Sequence, residues 1–346
     1  MKKAVALISG GLDSMLAAKV IMDQGIHVEG INFFTGFCVE GHTHAIRQKD
    51  KKKPKRNNAL WVADQLNMKL HIIDISHEYK DVVLNPKHGY GKNLNPCLDC
   101  KIFMVDKARV WAFAEEHQFD FVITGEVIGQ RPKSQRRETM PLIAREAGIE
   151  DRLLRPLCAK NLPATLPERE GWVDREKLFD FSGRNRKPQM ALAASLGFDD
   201  YAQPAGGCCF LTDEKYSQKL SDLWQSRGVR DYEIDDIVLL KIGRHIRPRP
   251  HFKMIVGREQ GENYYLEGYR KQFLHLRPIS HSGPLALVDG EVGQDDIALA
   301  ARIVARYSQG RSADSVKVNV SPVVGDDYEL NVKPILPIDM PSQWMI

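Results

Sequence analysis

The 346-residue chain is 43% hydrophobic and 27% charged, the balance of a folded protein long enough for two domains. No apolar run has the length of a membrane helix, and the N-terminal apolar stretch carries a Gly-Gly turn and an aspartate, so it reads as a core strand and not as a signal peptide; a cytoplasmic protein is expected. A formal net charge of +4 leaves nucleic-acid affinity to local basic patches, and six cysteines in a reducing compartment speak for metal or redox chemistry over structural disulfides.

Residues 4–8 form a short apolar strand that runs into Ser9-Gly10-Gly11-Leu12-Asp13-Ser14, and residues 15–22 then read as a helix. Strand, glycine turn and helix predict an anion site. Glycines let the backbone approach a ligand, and the first N–H groups of the helix have no partner within it. Ser9 and Ser14 add hydroxyl donors. Asp13 is a poor neighbour for phosphate, so it is expected to cap the helix or to hold a metal ion that bridges to phosphate. The string is neither the Walker loop nor Gly-x-Gly-x-x-Gly.

Residues 28–34 read as a second strand, followed by Cys38, His42, His44 and a basic run over 47–56 that reads as a solvated loop. A helix is predicted over 57–66 and a strand over 70–75. Strands alternating with helices imply a parallel sheet with right-handed crossovers and ligands at the carboxyl ends of the strands. An irregular stretch then delivers Asn95-Pro96-Cys97-Leu98-Asp99-Cys100-Lys101 to a helix predicted over 102–117. Pro96 suits a helix start, where the dipole favours thiolates. The next strand, 121–124, ends in Gly125-Glu126-Val127-Ile128-Gly129-Gln130-Arg131. Arg131, Lys133, Arg136 and Arg137 cluster at this strand end and suit phosphate or RNA.

Residues 155–159 read as a short buried strand with Cys158 as a core thiol. Arg184 and Arg186 precede a helix over 188–196 and are further phosphate or RNA candidates. A glycine turn bearing Cys208 and Cys209 closes a first domain, 1–211. Residues 212–229 read as a linker helix and 230–346 as a smaller α/β domain. That domain is expected to hold strands at 237–242, 252–256, 285–288, 316–320 and 328–332 and helices at 262–269 and 295–308. A cationic loop over 243–251 carries Arg244, His245, Arg247 and Arg249.

The Cys97-x-x-Cys100 pair with Cys208-Cys209 leaves three chemistries open: zinc, a cluster held by three cysteines with one open iron, or a persulfide relay needing two thiols.

Ser9-Gly10-Gly11-Leu12-Asp13-Ser14 directly after an apolar strand resembles the PP-loop of the ATP pyrophosphatase superfamily. With Asn95-Pro96-Cys97-x-x-Cys100 and Thr124-Gly125-Glu126-x-x-Gly129-Gln130, the chain from about residue 3 to 210 resembles the PP-loop tRNA thiolation enzymes, the 4-thiouridine synthetases and tRNA 2-thiouridylases. The resemblance implies an α/β fold: a Rossmann-like parallel-sheet domain of the adenine nucleotide alpha hydrolase type, followed by the smaller α/β domain. It implies ATP with Mg²⁺ at Ser9, Gly10, Gly11, Asp13, Ser14, Phe33, Gly125 and Gln130. It implies catalytic roles for Asp13, Cys97 and Cys208, and a [4Fe-4S] cluster on Cys97, Cys100 and Cys208, with Cys209 in place of Cys208 as the variant. Lys101 and Arg131 are candidates to neutralise phosphate charge.

Ile242-Gly243-Arg244-His245-x-Arg247, followed by Lys253-Met254-Ile255-Val256-Gly257-Arg258, resembles the NFACT RNA-binding domain, a resemblance that covers about residues 230 to 310. Because the PP-loop stands at the N-terminus, RNA contact is expected from that domain through Arg244, His245, Arg247 and Arg249, and from Arg131, Lys133, Arg184 and Arg186 in the first domain. The activity implied is ATP-dependent tRNA thiolation. Its partners are tRNA, a sulfur donor (sulfide or a persulfide from a cysteine desulfurase) and a second copy of the chain as a homodimer. Two other classes remain in view: a PP-loop ligase or amidating enzyme acting on a small molecule, and a non-catalytic RNA-binding protein.

Overall fold

The computed structural model describes residues 1–39, 56–202 and 208–346. They divide into two compact units, the first of residues 1–38 and 56–212, the second containing 213–346. His42, His44, residues 47–55, Gly206 and Gly207 lie outside the described residues.

In the first unit five strands, β1 (Lys3–Leu7), β2 (His27–Phe34), β3 (Leu70–Asp74), β4 (Phe121–Ile123) and β5 (Leu153–Leu154), form a parallel sheet in the order β3-β2-β1-β4-β5. The helices are α1 (Leu12–Met22), α2 (Asn58–Gln65), α3 (Tyr79–Leu84), α4 (Cys97–Phe113), α5 (Thr139–Glu146), α6 (Leu166–Arg169) and α7 (Lys187–Ser195). Side chains alternate across the sheet. Ala4 and Ala6 of β1 pack with Leu16 and Ala17 of α1 and Ala193 of α7 on one face. Val5 packs with Val105 and Ala108 of α4 and Ile143 of α5 on the other. Both faces are covered, which explains why these strands read as continuous apolar runs. The order reverses at β1, so a crevice opens at the carboxyl ends of β1 and β4, where the chain places its glycine turns.

The structure shifts two expectations here. α4 begins at Cys97, so both cysteines stand inside its first turn. The strand expected over 155–159 is β5 at Leu153–Leu154, and residues 155–158 turn instead, with Cys158 N donating to Arg155 O at 3.0 Å. Cys158 itself is wholly buried, as a core thiol should be.

In the second unit, α8 (Glu214–Arg227) and α9 (Ile234–Leu239) precede six strands: β6 (Arg244–Arg249), β7 (Phe252–Val256), β8 (Leu274–Pro278), β9 (Ala286–Gly290), β10 (Val316–Ser321) and β11 (Tyr328–Val332). They form an antiparallel sheet in the order β11-β10-β8-β9-β7-β6. α10 (Gln260–Glu267) follows β7 and α11 (Gln294–Arg306) follows β9. One face of the sheet packs on α11, the other on α9 and α10.

The strand expected over 237–242 is a helix. Glu233 and Asp236 form a capping box at its start, and Ile237, Val238 and Leu239 are buried on it. The cationic loop expected over 243–251 is mostly strand β6. The segment expected to be a linker helix, α8, is bonded into the second unit: Tyr216 Oη donates to Ile237 O at 2.9 Å and Lys219 Nζ to Leu240 O at 3.0 Å.

Candidate active site

The turn after β1 is shaped by two glycines. Gly10 has φ +79°, the left-handed region, and a Cβ there would stand 2.7 Å from Asn58 Cβ and 2.8 Å from Ala59 N at the start of α2. Gly125, at the end of β4, lies against the first turn of α1, where a Cβ would be 2.5 Å from Asp13 C and O and from Ser14 N. The nucleotide turn is thus wedged between α2 and the β4 loop. Gly11 occupies the N-cap of α1 with no side-chain cap, leaving the helix N–H groups to a ligand. Ser14 Oγ donates to Gly11 O at 2.8 Å, and the Ser9 and Ser14 hydroxyls are 3.4 Å apart. Phe33 is buried in the core beside Val5 and Ile31, behind the strand end.

Asp13 does not cap the helix, because Gly11 holds that position. Its Oδ2 accepts from Gln130 Nε2 at 2.6 Å and lies 3.3 Å from the Arg186 guanidinium. Gln130 Oε1 in turn accepts from Gln189 Nε2 at 2.9 Å. Asp13 Oδ1 is buried and has no hydrogen-bond partner among the described residues. An orphaned carboxylate oxygen beside an anion site fits a hard divalent cation such as Mg²⁺, which takes one or two carboxylates together with phosphate oxygens. Arg186, expected at RNA, is therefore committed to Asp13, while Arg184 is exposed nearby. Gly183 N donates to Ile128 O at 2.7 Å, so the Arg184–Arg186 segment runs beside the 125–131 loop.

Glu126 was not singled out from sequence, yet it centres a buried ion network. Its Oε2 accepts from Thr124 Oγ1 at 2.8 Å and Arg155 Nε at 3.0 Å, and Lys101 Nζ is 3.7 Å from Oε1. Burial pushes its carboxyl up. Lys101, Arg155 and the Thr124 hydroxyl outweigh that, and the group stays ionised below the usual carboxylate range.

Cys97 Sγ is 3.5 Å from Ser134 Oγ, and Cys209 Sγ is 3.7 Å from Asn95 Oδ1. Cys38, which carried no expectation, pairs with Cys209 in an isolated antiparallel bridge. Cys100 bonds to the buried Tyr79 hydroxyl, and burial together with the field of Cys208 pushes its thiol well up. Cys208 goes the other way. The adjacent Cys209 thiol, with the positive field of Arg131 and Lys101, favours its charged form and brings this exposed thiol down to about 6. Cys209 is correspondingly pushed well above the usual thiol range. One thiolate supported by its neighbour is a nucleophile's environment.

Among the described residues no three His, Cys, Asp or Glu side chains converge to hold one metal ion. Cys97, Cys100 and Cys208 share one electrostatic neighbourhood, but in this arrangement they do not fit a cluster or a zinc ion.

The basic residues separate. Lys133 is exposed and Arg131 half-buried in the first unit. In the second unit His245 is 1% exposed, its Nε2 at 2.9 Å from Ile242 O and 3.2 Å from Leu239 O. Burial lowers its pKa well below the usual value, so it is a neutral core side chain and the RNA contact expected of it is withdrawn. Arg247 is held by Asp222 through Nε at 2.5 Å and the second amino group at 2.7 Å, and Arg249 lies 3.3 Å from Asp296. Arg244 stands 4.9 Å over the Tyr307 ring.

A parallel sheet whose order reverses at a Ser-Gly-Gly-Leu-Asp-Ser turn has the form of a nucleotide-binding domain of the PP-loop kind. Comparison with known proteins makes this more specific. Residues 1–161 match the family model described as thiamine biosynthesis protein (ThiI), and residues 243–345 match that of the NFACT protein RNA-binding domain. The tRNA-specific 2-thiouridylase MnmA of Pelobacter propionicus is 24% identical over 93% of this chain and 80% of its own length. That of Pseudoalteromonas atlantica is 31% identical over 38% of this chain and 32% of its own, so the chain spans about a third of that relative. A crystal structure of a 4-thiouridine synthetase–RNA complex with bound ATP aligns with 45% of this chain and 36% of that one at 26% identity and a TM-score of 0.33. The first unit is similar to the PP-loop tRNA thiolation enzymes, and the second to the NFACT RNA-binding domain. No helix among the described residues is long and apolar enough to cross a membrane.

Proposed function

We propose that the chain is an ATP-dependent tRNA sulfurtransferase. One observation carries the reading. Gln130 and Arg131, adjacent in sequence, serve the two halves of such a reaction: Gln130 holds the Asp13 carboxylate of the nucleotide turn, and Arg131 favours the Cys208 thiolate. Activation and sulfur delivery thereby share one loop.

ATP lies with its phosphates on the α1 N-terminus and the Ser9 and Ser14 hydroxyls. Mg²⁺, when bound, neutralises phosphate charge, and Asp13 Oδ1 is the oxygen that would hold it. A uridine carbonyl oxygen attacks the α phosphate and pyrophosphate leaves. The oxygen then departs as AMP, a far better leaving group than oxide. Cys208 and Cys97 divide the roles of sulfur carrier and resolving thiol. The terminal sulfur of a persulfide on one attacks the activated carbon as AMP departs. The other thiolate attacks the protein sulfur of the resulting disulfide, which releases thiolated RNA and leaves a Cys97–Cys208 disulfide for an external thiol to reduce. The thiols and the RNA-binding-like second unit favour this over a ligase acting on a small molecule, and the intact turn favours it over a retired nucleotide site.

The test pairs two variants. Asp13→Ala should lose RNA-stimulated pyrophosphate release while RNA binding persists. Cys97→Ala should release pyrophosphate yet form no thiouridine, read by mass spectrometry of digested tRNA. Pyrophosphate release stimulated by small acids and not by tRNA would refute the reading. Stoichiometric iron and acid-labile sulfide after anaerobic purification would refute the thiol route.

A further inference from the structure

His245 is buried and Arg247 and Arg249 are ion-paired, so most of the RNA contacts expected of the cationic segment are already committed within the second unit. It contains a cavity of about 930 Å³ formed between the β7–α10 link, the end of β8, the 282–284 segment and the residues after α11. The volume lies within the range of small-molecule sites, ~300–1,000 Å³. Its walls are tied by backbone bonds: Gly257 N to Leu285 O at 3.0 Å, Gln309 N to Ser282 O at 2.8 Å, and Asn263 Oδ1 accepting from Leu285 N at 3.1 Å. The cavity is therefore preformed.

Its lining joins positive charge with aromatic faces. Arg244, Arg258, Arg277 and Arg311 line it against Glu259 and Glu267, and Arg277 is paired with Glu267. Arg311 is exposed and has no hydrogen bond or ion pair among the described residues. Tyr264 is 63% exposed; its hydroxyl accepts from Gln260 Nε2 at 2.9 Å, which holds the ring along α10 with a face open to solvent. Tyr307 is backed by Arg244 at 4.9 Å. An open aromatic face beside an uncommitted guanidinium matches a ligand that carries a flat ring and a phosphate on one backbone. A base within a duplex is already stacked and cannot enter a concave site; an unpaired one can.

We propose that this cavity takes one unpaired nucleotide of an RNA chain, with its base on Tyr264 and its phosphate at Arg311 and Arg258. The site lies outside the nucleotide turn and the thiols, and its test contains no ATP, so its outcome is independent of the thiolation reading.

The experiment measures fluorescence anisotropy of the full chain with a labelled oligouridylate, a blunt RNA duplex of equal length and free UMP as competitor, across a potassium chloride series. The oligouridylate should bind more tightly than the duplex. Tyr264→Ala, a surface change checked for folding by circular dichroism, should weaken oligouridylate binding about fivefold to a hundredfold with an unchanged salt slope. Arg311→Ala should reduce the slope of log affinity against log salt by about 0.7. Equal affinity for duplex, or Tyr264→Ala binding as the wild type does, would overturn the proposal. UMP competing at the oligomer's own concentration would assign the cavity to a free nucleotide and overturn the RNA source.

Discussion

Replacing Cys209 with alanine tests the thiol arrangement at its most specific point. The neighbouring Cys209 thiol is the leading cause of the low pKa of the exposed Cys208, about 6, with Arg131 and Lys101 contributing. A hydrogen bond to a charged group contributes about 1.5–3 kcal/mol, and one pKa unit corresponds to about 1.4 kcal/mol. Cys209→Ala should therefore raise the Cys208 midpoint by about one to two units, still below the ordinary thiol near 8.5 because the two cations remain. The sign follows from the depressed pKa: Cys208 is a thiolate above its midpoint and becomes an unreactive thiol as pH falls through it. The assay is iodoacetamide alkylation between pH 5 and pH 9, with tandem mass spectrometry locating the adduct. The midpoint is the readout, because intrinsic nucleophilicity rises with pKa and distorts the plateau rates. An unchanged midpoint in the variant, or a wild-type midpoint near 8.5, would refute the pairing.

Two further substitutions probe the scaffold. Glu126→Gln leaves Arg155, itself 5% exposed, without its carboxylate, and urea denaturation should show a loss of about 3–5 kcal/mol; a loss under about 1 kcal/mol would mean the network carries little. Gly125→Ala drives a methyl into the backbone of Asp13 and Ser14, with overpacking that costs about 1–3 kcal/mol. It should weaken ATP binding measured by calorimetry, and unchanged affinity would show that β4 does not set the position of the turn.

The first unit was legible because its signals are local. An apolar run, a glycine turn and a helical period coincide at β1 and α1, and the Thr-Gly-Glu and Asn-Pro-Cys strings mark the neighbouring loops. The second unit misled where signals are ambiguous. Ile237-Val238-Leu239-Leu240 suits a strand or a buried helix equally, and the capping residues Glu233 and Asp236 decide for the helix. Arg244–Arg249 looks like a loop because it is cationic and holds Pro248, yet β6 ends the sheet order, and an edge strand tolerates both charge and proline. His245 was misjudged for the same reason: in the strand it lies against Leu239 and Ile242 at the end of α9 and is buried, where a loop would have exposed it. Cys38 had no spacing signal at all, since only tertiary pairing with Cys209 brings it to the other thiols.

Lys101 faces two ways, toward the buried Glu126 and toward the Cys208 thiolate, and Arg131 reinforces it at the thiolate. Sulfur and phosphate are thus rivals for one positive field. Any anion settling near these cations draws on the potential that keeps Cys208 ionised, and reciprocity requires the thiolate to weaken that anion's hold by the same factor. The same linkage predicts that a phosphate at these cations is held more firmly once the thiolate charge has been removed in the proposed Cys97–Cys208 disulfide. The alkylation profile repeated with saturating ATP reads this directly: the Cys208 midpoint should move upward, and a midpoint that stays in place would show the two sites to be electrostatically independent.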